Sequence, residues 1–300
     1  MAKNYPLLVL VLFLASCGEK GVEVNYNLSV PVKAEVFSQS FYSTMDGEYE
    51  QVGTATAITF INEYSQDGDM LHLNRTFVSD ASKGYLKKSY PPELALRTPK
   101  LELSAKDLEF ISIKGYENFN SAVVAKIQIP DRWRKQINEM ANQIDLEHIE
   151  MRRWKITHLL LGNIPLKSNI TELLASQGRL PEIPFVIKID SVIIKDIKKI
   201  NGKKCLEYAV YLKETEPFPY FIWEQHVSSV KSGMPFKYYK PKNAEYENLY
   251  EVALDLENGI PCHEREMKFG VHGMQNPETG DSVTFSSRIS HERFYIFLPQ

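Results

Sequence analysis

The chain has 300 residues, with 35 Lys and Arg against 38 Asp and Glu, a net charge of −3. That balance lacks the basic excess of a generic nucleic-acid binder, and 43% hydrophobic residues with 24% charged exclude a disordered tail. Three cysteines are too few to staple a miniature scaffold, and a chain of this length buries about three quarters of its unfolded surface without covalent help.

The start reads Met1-Ala2-Lys3-Asn4-Tyr5-Pro6, then an unbroken apolar run from Leu7 to Ala15, then Ser16-Cys17. One positive charge, a short apolar run and small residues before a cut are the parts of a secretory signal peptide. Nine residues of helix cover about 14 Å, less than half of a ~30 Å hydrocarbon core, so the run is too short to span a membrane. The tetrapeptide Leu14-Ala15-Ser16-Cys17 resembles the lipobox of bacterial lipoproteins. That resemblance implies lipidation of Cys17, with a thioether-linked diacylglycerol and an N-acyl chain, after removal of residues 1–16. More than one acyl chain, at ~0.8 kcal/mol per buried methylene, makes membrane anchoring stable. Gly18, not Asp, follows the cysteine, which implies passage to the outer membrane. The expected location is therefore the bacterial cell envelope, with 17–21 as a lipidated tether. Cleavage removes one Lys and no acid, leaving a net charge of −4.

Beyond the tether, Val22, Val24, Tyr26, Leu28, Val30, Val32, Ala34 and Val36 alternate with mostly polar residues. The period of two predicts one long half-buried strand or two strands in line, with an edge or bulge at Pro31. Met45-Asp46-Gly47 and Gln66-Asp67-Gly68-Asp69 punctuate two further strands, Val52–Tyr64 and Met70–Val78. Residues 84–99, with Pro91-Pro92 and Pro99, read as a loop. Leu101–Ile113 and Ala122–Ile129 read as the last strands of a β-rich half covering 22–129. Pro130 opens a helical segment, 130–180. Trp133, Ile137, Met140, Ala141 and Ile144 recur at helical spacing, and Met151, Trp154, His158 and Leu161 continue it, with Gly162 as a stop. The Trp and Met stripe reads as a core-facing surface rather than a cofactor box. A shorter helix is expected over Asn169–Gln177.

Residues 181–300 return to strands. Phe185–Lys199 and Lys203–Lys213 flank Asn201-Gly202, and Leu249–Leu256 and Cys262–Phe269 flank Asn258-Gly259, two Asn-Gly hairpins. Tyr220–Val227 reads as an aromatic strand, and Val283–Ile289 with Phe294–Phe297 as two closing strands. Strands, a helical insert and strands again predict an α+β protein dominated by antiparallel sheet.

Seven histidines sit singly, without HExxH or close ligand spacing, and there is no GxSxG, Walker or GxGxxG motif. No catalytic residue, metal ligand or cofactor is therefore nominated. A hydrolase with a dispersed carboxylate pair leaves no short signature and stays open as an alternative. In an oxidising envelope Cys205 and Cys262 have two readings, a disulfide or two separate buried thiols. Lys195, Lys198, Lys199, Lys203 and Lys204 crowd one hairpin tip. They read either as a contact for anionic headgroups or an acidic partner, or as a solvated tip that discourages edge-to-edge pairing.

Ile200-Asn201-Gly202-Lys203-Lys204-Cys205-Leu206-Glu207-Tyr208, followed by Phe221-Ile222-Trp223 and Gly259-Ile260-Pro261, carries a second resemblance. It is similar to envelope families grouped with the periplasmic lipoprotein carriers and outer-membrane lipoprotein receptors, over roughly residues 190–290. The resemblance implies a strongly curved antiparallel sheet closed by helices around an apolar cavity. On it, Tyr208, Phe221 and Trp223 belong to an apolar-ligand wall, with core packing as the other role for each. The long strand-rich half ahead of the match departs from a single compact carrier domain. The expected function is non-catalytic binding of an apolar ligand or lipid. The alternative is a structural lipoprotein that holds another envelope protein, and nucleic acid is not an expected partner.

Overall fold

The computed structural model describes residues 21–26, 28–46, 49–80, 101–106, 109–114, 146–183, 186–216, 240–241, 244–275 and 278–299. The leader with Cys17, and the elements expected at 84–99, 122–144 and 220–227, lie outside the described residues.

In chain order the strands are β1 (Gly21–Val24), β2 (Val32–Asp46), β3 (Tyr49–Asp67), β4 (Met70–Asp80), β5 (Leu101–Lys106) and β6 (Glu109–Lys114). Helix α1 (Leu146–Thr157), β7 (Gly162–Pro165) and helix α2 (Thr171–Ser176) come next. The chain closes with β8 (Val186–Ile200), β9 (Lys203–Glu216), β10 (Lys240–Pro241), β11 (Ala244–Asp255), β12 (Pro261–Gln275) and β13 (Ser282–Phe297). The protein is α+β: one large, curved, antiparallel sheet with a helical insert. Its strand order is β6-β5-β4-β3-β2-β13-β12-β11-β9-β8, with β10 on β12. The sheet is unclosed, because β6 and β8 end it without pairing to each other.

The two β-rich halves share this one sheet. β2 pairs with β13 from Ala34↔Phe297 to Met45↔Ser286, joining the first long strand of the chain to the last. Alternation along each strand then decides which side chains face α1. Ala34 and Val36 of β2, Leu71 and Leu73 of β4, and Leu206, Tyr208, Val210 and Leu212 of β9 are buried on that side. Ile156, Leu159 and Leu160 of α1 and the residues after it, with Ile170 and Leu174 around α2, complete the main apolar core. A second cluster joins Leu28, Tyr64, Leu71, Leu73, Leu103 and Trp154.

The hairpin turns fall where the sequence puts them. Asn201 (φ 51°) and Gly202 (φ 84°) both take positive φ, the requirement of a type I′ turn, and connect β8 to β9. Gly259 (φ 73°) sits between β11 and β12, where a Cβ would meet the Asn25 carbonyl oxygen at 3.1 Å. The β3–β4 turn lies at Gly68-Asp69.

Four expectations are corrected. The alternation over 22–36 belongs to strands of different sheets: β1 leaves the large sheet to pair with β7, and β2 begins after Pro31. Leu101–Ile113 is a hairpin of two short strands, β5 and β6, with a register shift between Ser104 and Ala105. Helix α1 stops at Thr157 rather than at Gly162, because Gly162–Pro165 serves as the partner strand of β1. The closing strands are one, β13. Its polar middle, His291-Glu292-Arg293, is not a break, since His291 and Arg293 face an ionic interior and Glu292 faces outward.

Candidate functional site

Between α1 and the sheet lies a layer of charged side chains where an apolar core would be expected. Period-two alternation places Glu264, Glu266 and Lys268 of β12 on the α1 side, with His291, Arg293 and Tyr295 of β13 beside them. β9 adds Glu214, β11 adds Asn248 and Tyr250, β4 adds Arg75, and α1 answers with Glu150, Arg152, Arg153 and Thr157. Glu214 is fully buried, and Arg152, Glu150, Glu264 and Lys268 are each at most 5% exposed.

Two connected groups make up the layer. In the first, Arg152 donates Nε to Glu214 at 2.5 Å and Nη2 to Glu266, while Lys268 lies 3.0 Å from Glu214 and 3.6 Å from Glu266. Asn248 donates to Glu266 at 2.8 Å. In the second, Glu150 accepts from Arg75 at 3.1 Å and from Arg153 at 2.9 Å. Glu264 accepts from Thr157 and Tyr295, each at 2.5 Å, and lies 3.7 Å from Arg293. Asn62 links this group to β3, accepting from Arg75 Nε at 3.1 Å and donating to the Tyr64 hydroxyl at 2.9 Å.

Burial alone would raise the carboxyl pKa values, but the guanidinium and ammonium partners outweigh it. Arg153 and Arg75 hold Glu150 at about 2. Arg153 and Arg293 hold Glu264 below its ordinary value, and Arg152 and Lys268 do the same for Glu266. Burial pushes the Tyr64 hydroxyl up to about 12. A general acid needs a carboxyl that keeps its proton near neutral pH. These three carboxylates are held in the opposite state, so none of them keeps a proton to donate near neutral pH.

Toward the C-terminal end of α1 the chemistry changes. Burial lowers His158 to about 4, leaving it neutral, with Nδ1–H donating to the Trp154 carbonyl oxygen at 3.0 Å. Its ring packs on Trp154 at 3.9 Å between centroids, and on Tyr26 at 5.4 Å. Tyr208 is fully buried, and its hydroxyl donates to the Ile156 carbonyl oxygen at 3.0 Å and contacts that of Thr157. It is a strut beneath the helix end. Phe221 and Trp223, the other expected wall residues, lie outside the described residues.

A groove of about 740 Å³ opens beside the lysine hairpin, on the face turned away from α1. Lys195, Lys198 and Lys199 line it together with Glu207, Glu251 and Glu292. Three of the five hairpin lysines are held in ion pairs. Lys195 pairs with Glu251, Lys198 with Glu207 at 2.5 Å, and Lys203 with Glu257 at 2.9 Å and Asp255 at 3.4 Å. Lys199 and Lys204 are exposed. Across the groove His263 Nε2 lies 3.0 Å from Glu292, which also accepts from Gln39 at 2.8 Å. Cys205 and Cys262 are both buried free thiols, and the structure brings their Sγ atoms to 2.9 Å.

Sequence reasoning missed the ionic layer entirely. The signal that could have found it is Glu264-x-Glu266-x-Lys268 on an otherwise ordinary strand: three same-face charges, with His263, Arg265, Met267 and Phe269 on the opposite face. No group of His, Cys, Asp or Glu side chains suited to a metal ion occurs among the described residues, and none of their helices is long and apolar enough to cross a membrane. No protein-family model matches the chain, and no curated protein matches it.

Proposed function

We propose that this is a lipid-anchored bacterial envelope protein that binds an apolar ligand or lipid without catalysing a reaction. The observation that supports it most is the single unclosed sheet curved around α1. With β6 and β8 unpaired to each other, the face that holds the helix is not sealed by strand closure, and sheets of this kind offer a binding concavity. The ionic layer divides that face in two. On the α2 side it is filled by the main apolar core, with Tyr208 as its strut. On the other side, past Arg75, β3 continues with Phe60 and Ile58, and the Arg75 guanidinium stacks 4.7 Å from the Phe60 ring. An apolar strip ending against fixed charges suits an amphiphile, and a lipid anchor at Cys17 would put the chain beside a supply of them. The test is native mass spectrometry of delipidated Cys17→Ala protein with added fatty acid and lysophospholipid. A one-to-one adduct that Ile58→Asp abolishes is the expected result; protein that stays unliganded at high ligand excess overturns the reading.

A second reading, an interaction lipoprotein that docks another envelope protein, draws on the opposite face. Phe37 and Phe294 pair directly there, and Phe41, Phe269, Val271 and Ile296 are each close to half exposed. Monomers seldom leave so many large apolar side chains on one face without a use. Photocrosslinking from Phe294 in intact cells discriminates: one stoichiometric partner favours the second reading, and labelled lipid the first.

A further inference from the structure

Cys205 and Cys262 stand on β9 and β12, with β11 between them in the sheet. On one side Cys205 faces Asp255 across the ladder. On the other, the register of β11 against β12 slips: Ala253 faces His263, Leu254 faces Pro261, and Cys262 is the extra residue. A bulge of this kind re-aims one side chain. Here it brings Cys262 Sγ to 2.9 Å from Cys205 Sγ, in a pocket closed by Ala253, Ile200 and Phe297. A bonded pair has its sulfurs ~2.04 Å apart, so a further approach of ~0.9 Å would close it. The groove beside the lysine hairpin, which Cys262 lines, gives a route in.

We propose that Cys205 and Cys262 are an oxidisable pair that closes to an intramolecular disulfide across β11 by exchange with a disulfide-bearing oxidant. One proton leaves the pair, and the thiolate attacks a sulfur of the oxidant, forming a mixed disulfide and releasing the oxidant's other sulfur, which takes up a proton. The second cysteine then loses its proton and displaces the remaining oxidant sulfur. Two protein thiols give up two electrons and two protons, and one oxidant disulfide becomes two thiols. The hydrogen bond between the sulfurs favours the first step: it lowers the Cys205 pKa while raising that of Cys262, so one thiolate forms more readily than at an isolated buried cysteine. The bond would join positions 57 residues apart, enclosing most of β9 with β10 and β11 in one covalent loop. It would also fasten the turn at Gly259 to the lysine hairpin. The inference goes beyond ligand binding and does not depend on it.

The experiment treats the reduced full chain with oxidised glutathione, quenches in acid, alkylates in denaturant and maps tryptic peptides. The expected product links Cys205–Lys213 to Asn243–Arg265, leaves the Cys17 peptide out, and forms at least about ten-fold faster in the folded chain than in urea. In Cys262→Ser and Cys205→Ser proteins the remaining thiol should stop at the glutathione adduct or stay reduced. Full alkylation of both peptides after oxidation overturns the proposal. So does a bond that forms only to Cys17 or between chains, or equal rates in the folded and urea-unfolded states.

Discussion

The C-terminal part of α1 and the residues after it meet the sheet through Ile156, Leu159 and Leu160, which pack on Leu206, Val210 and Leu254. One or two turns earlier, the same helix meets the same sheet through Glu150, Arg152 and Arg153, which engage Glu214, Glu266, Arg75 and Lys268 directly or through shared carboxylates. The difference is one of tolerance. Apolar contacts are additive and non-directional, so losing one leaves the others intact. A buried ionic layer depends on every member, because each lost partner leaves a charge in a low-dielectric interior with nothing to offset its desolvation. The apolar end makes the helix adhere, and the ionic end fixes where it sits.

The sharpest way to break that contrast is Arg152→Met, which leaves Glu214 with Lys268 and Glu266 with Lys268 and Asn248. We expect a loss of ~3–5 kcal/mol in urea unfolding. Replacing Arg152, Glu214, Glu266 and Lys268 together by apolar residues of similar size should recover most of it. If the single and the combined variants lose equal stability, the layer is not acting as a unit.

Acid separates the two ends next. Glu150 sits at about 2 in the fold against an ordinary 4.5, so its contribution is complete above pH ~4.5 and is lost as pH falls to about 2. His158 sits at about 4 against 6.5, buried neutral while the unfolded chain takes up the proton first. Its contribution is complete above pH ~6.5 and is lost as pH falls to about 4. Each shift corresponds to about 3 kcal/mol. Urea midpoints measured from pH 7 to pH 3 should therefore decline throughout, and His158→Phe should flatten the upper part. A wild-type midpoint that holds level between pH 6.5 and 4 removes His158 from the account.

Tyr208→Phe tests the apolar end without opening a cavity. It deprives the Ile156 and Thr157 carbonyl oxygens of a buried donor, at ~1–2 kcal/mol, and leaves the pH profile unchanged. The smallest effect should come from Lys195, Lys198, Lys199 and Lys204 changed together to Gln, with Lys203 kept because it partners the buried Asp255. Exposed pairs contribute little, so the urea midpoint should hold; a change in sedimentation with anionic vesicles in the same protein would give the hairpin a membrane role.

The hairpins were legible because Asn-Gly and Asp-Gly turns require a backbone that few other residues adopt, and the strands flanking them alternate cleanly. The helix over Met151–Thr157 was legible from Trp154 and its neighbours. The strand at 282–297 was split because pattern reading equates polar with outward, and His291 and Arg293 point inward to carboxylates contributed by β12. Nor could spacing alone reveal that Cys205 and Cys262 meet, since their approach depends on a one-residue slip between β11 and β12. What escaped the sequence in each case is a relation between segments far apart in the chain. Local propensity contains no information about it.

The pairing of β2 with β13 has a consequence for how this protein comes into being. Gln39 and Glu292 bond across it from positions 253 residues apart. That ladder therefore has to wait until nearly the whole chain has been made. Until then β2 and β12 each present an open row of backbone donors and acceptors, able to pair with any passing strand. Such long-range closure makes folding slow for the chain's size. A chain truncated before Ser282 would keep both edges open permanently, turning a late folding step into a lasting tendency to aggregate.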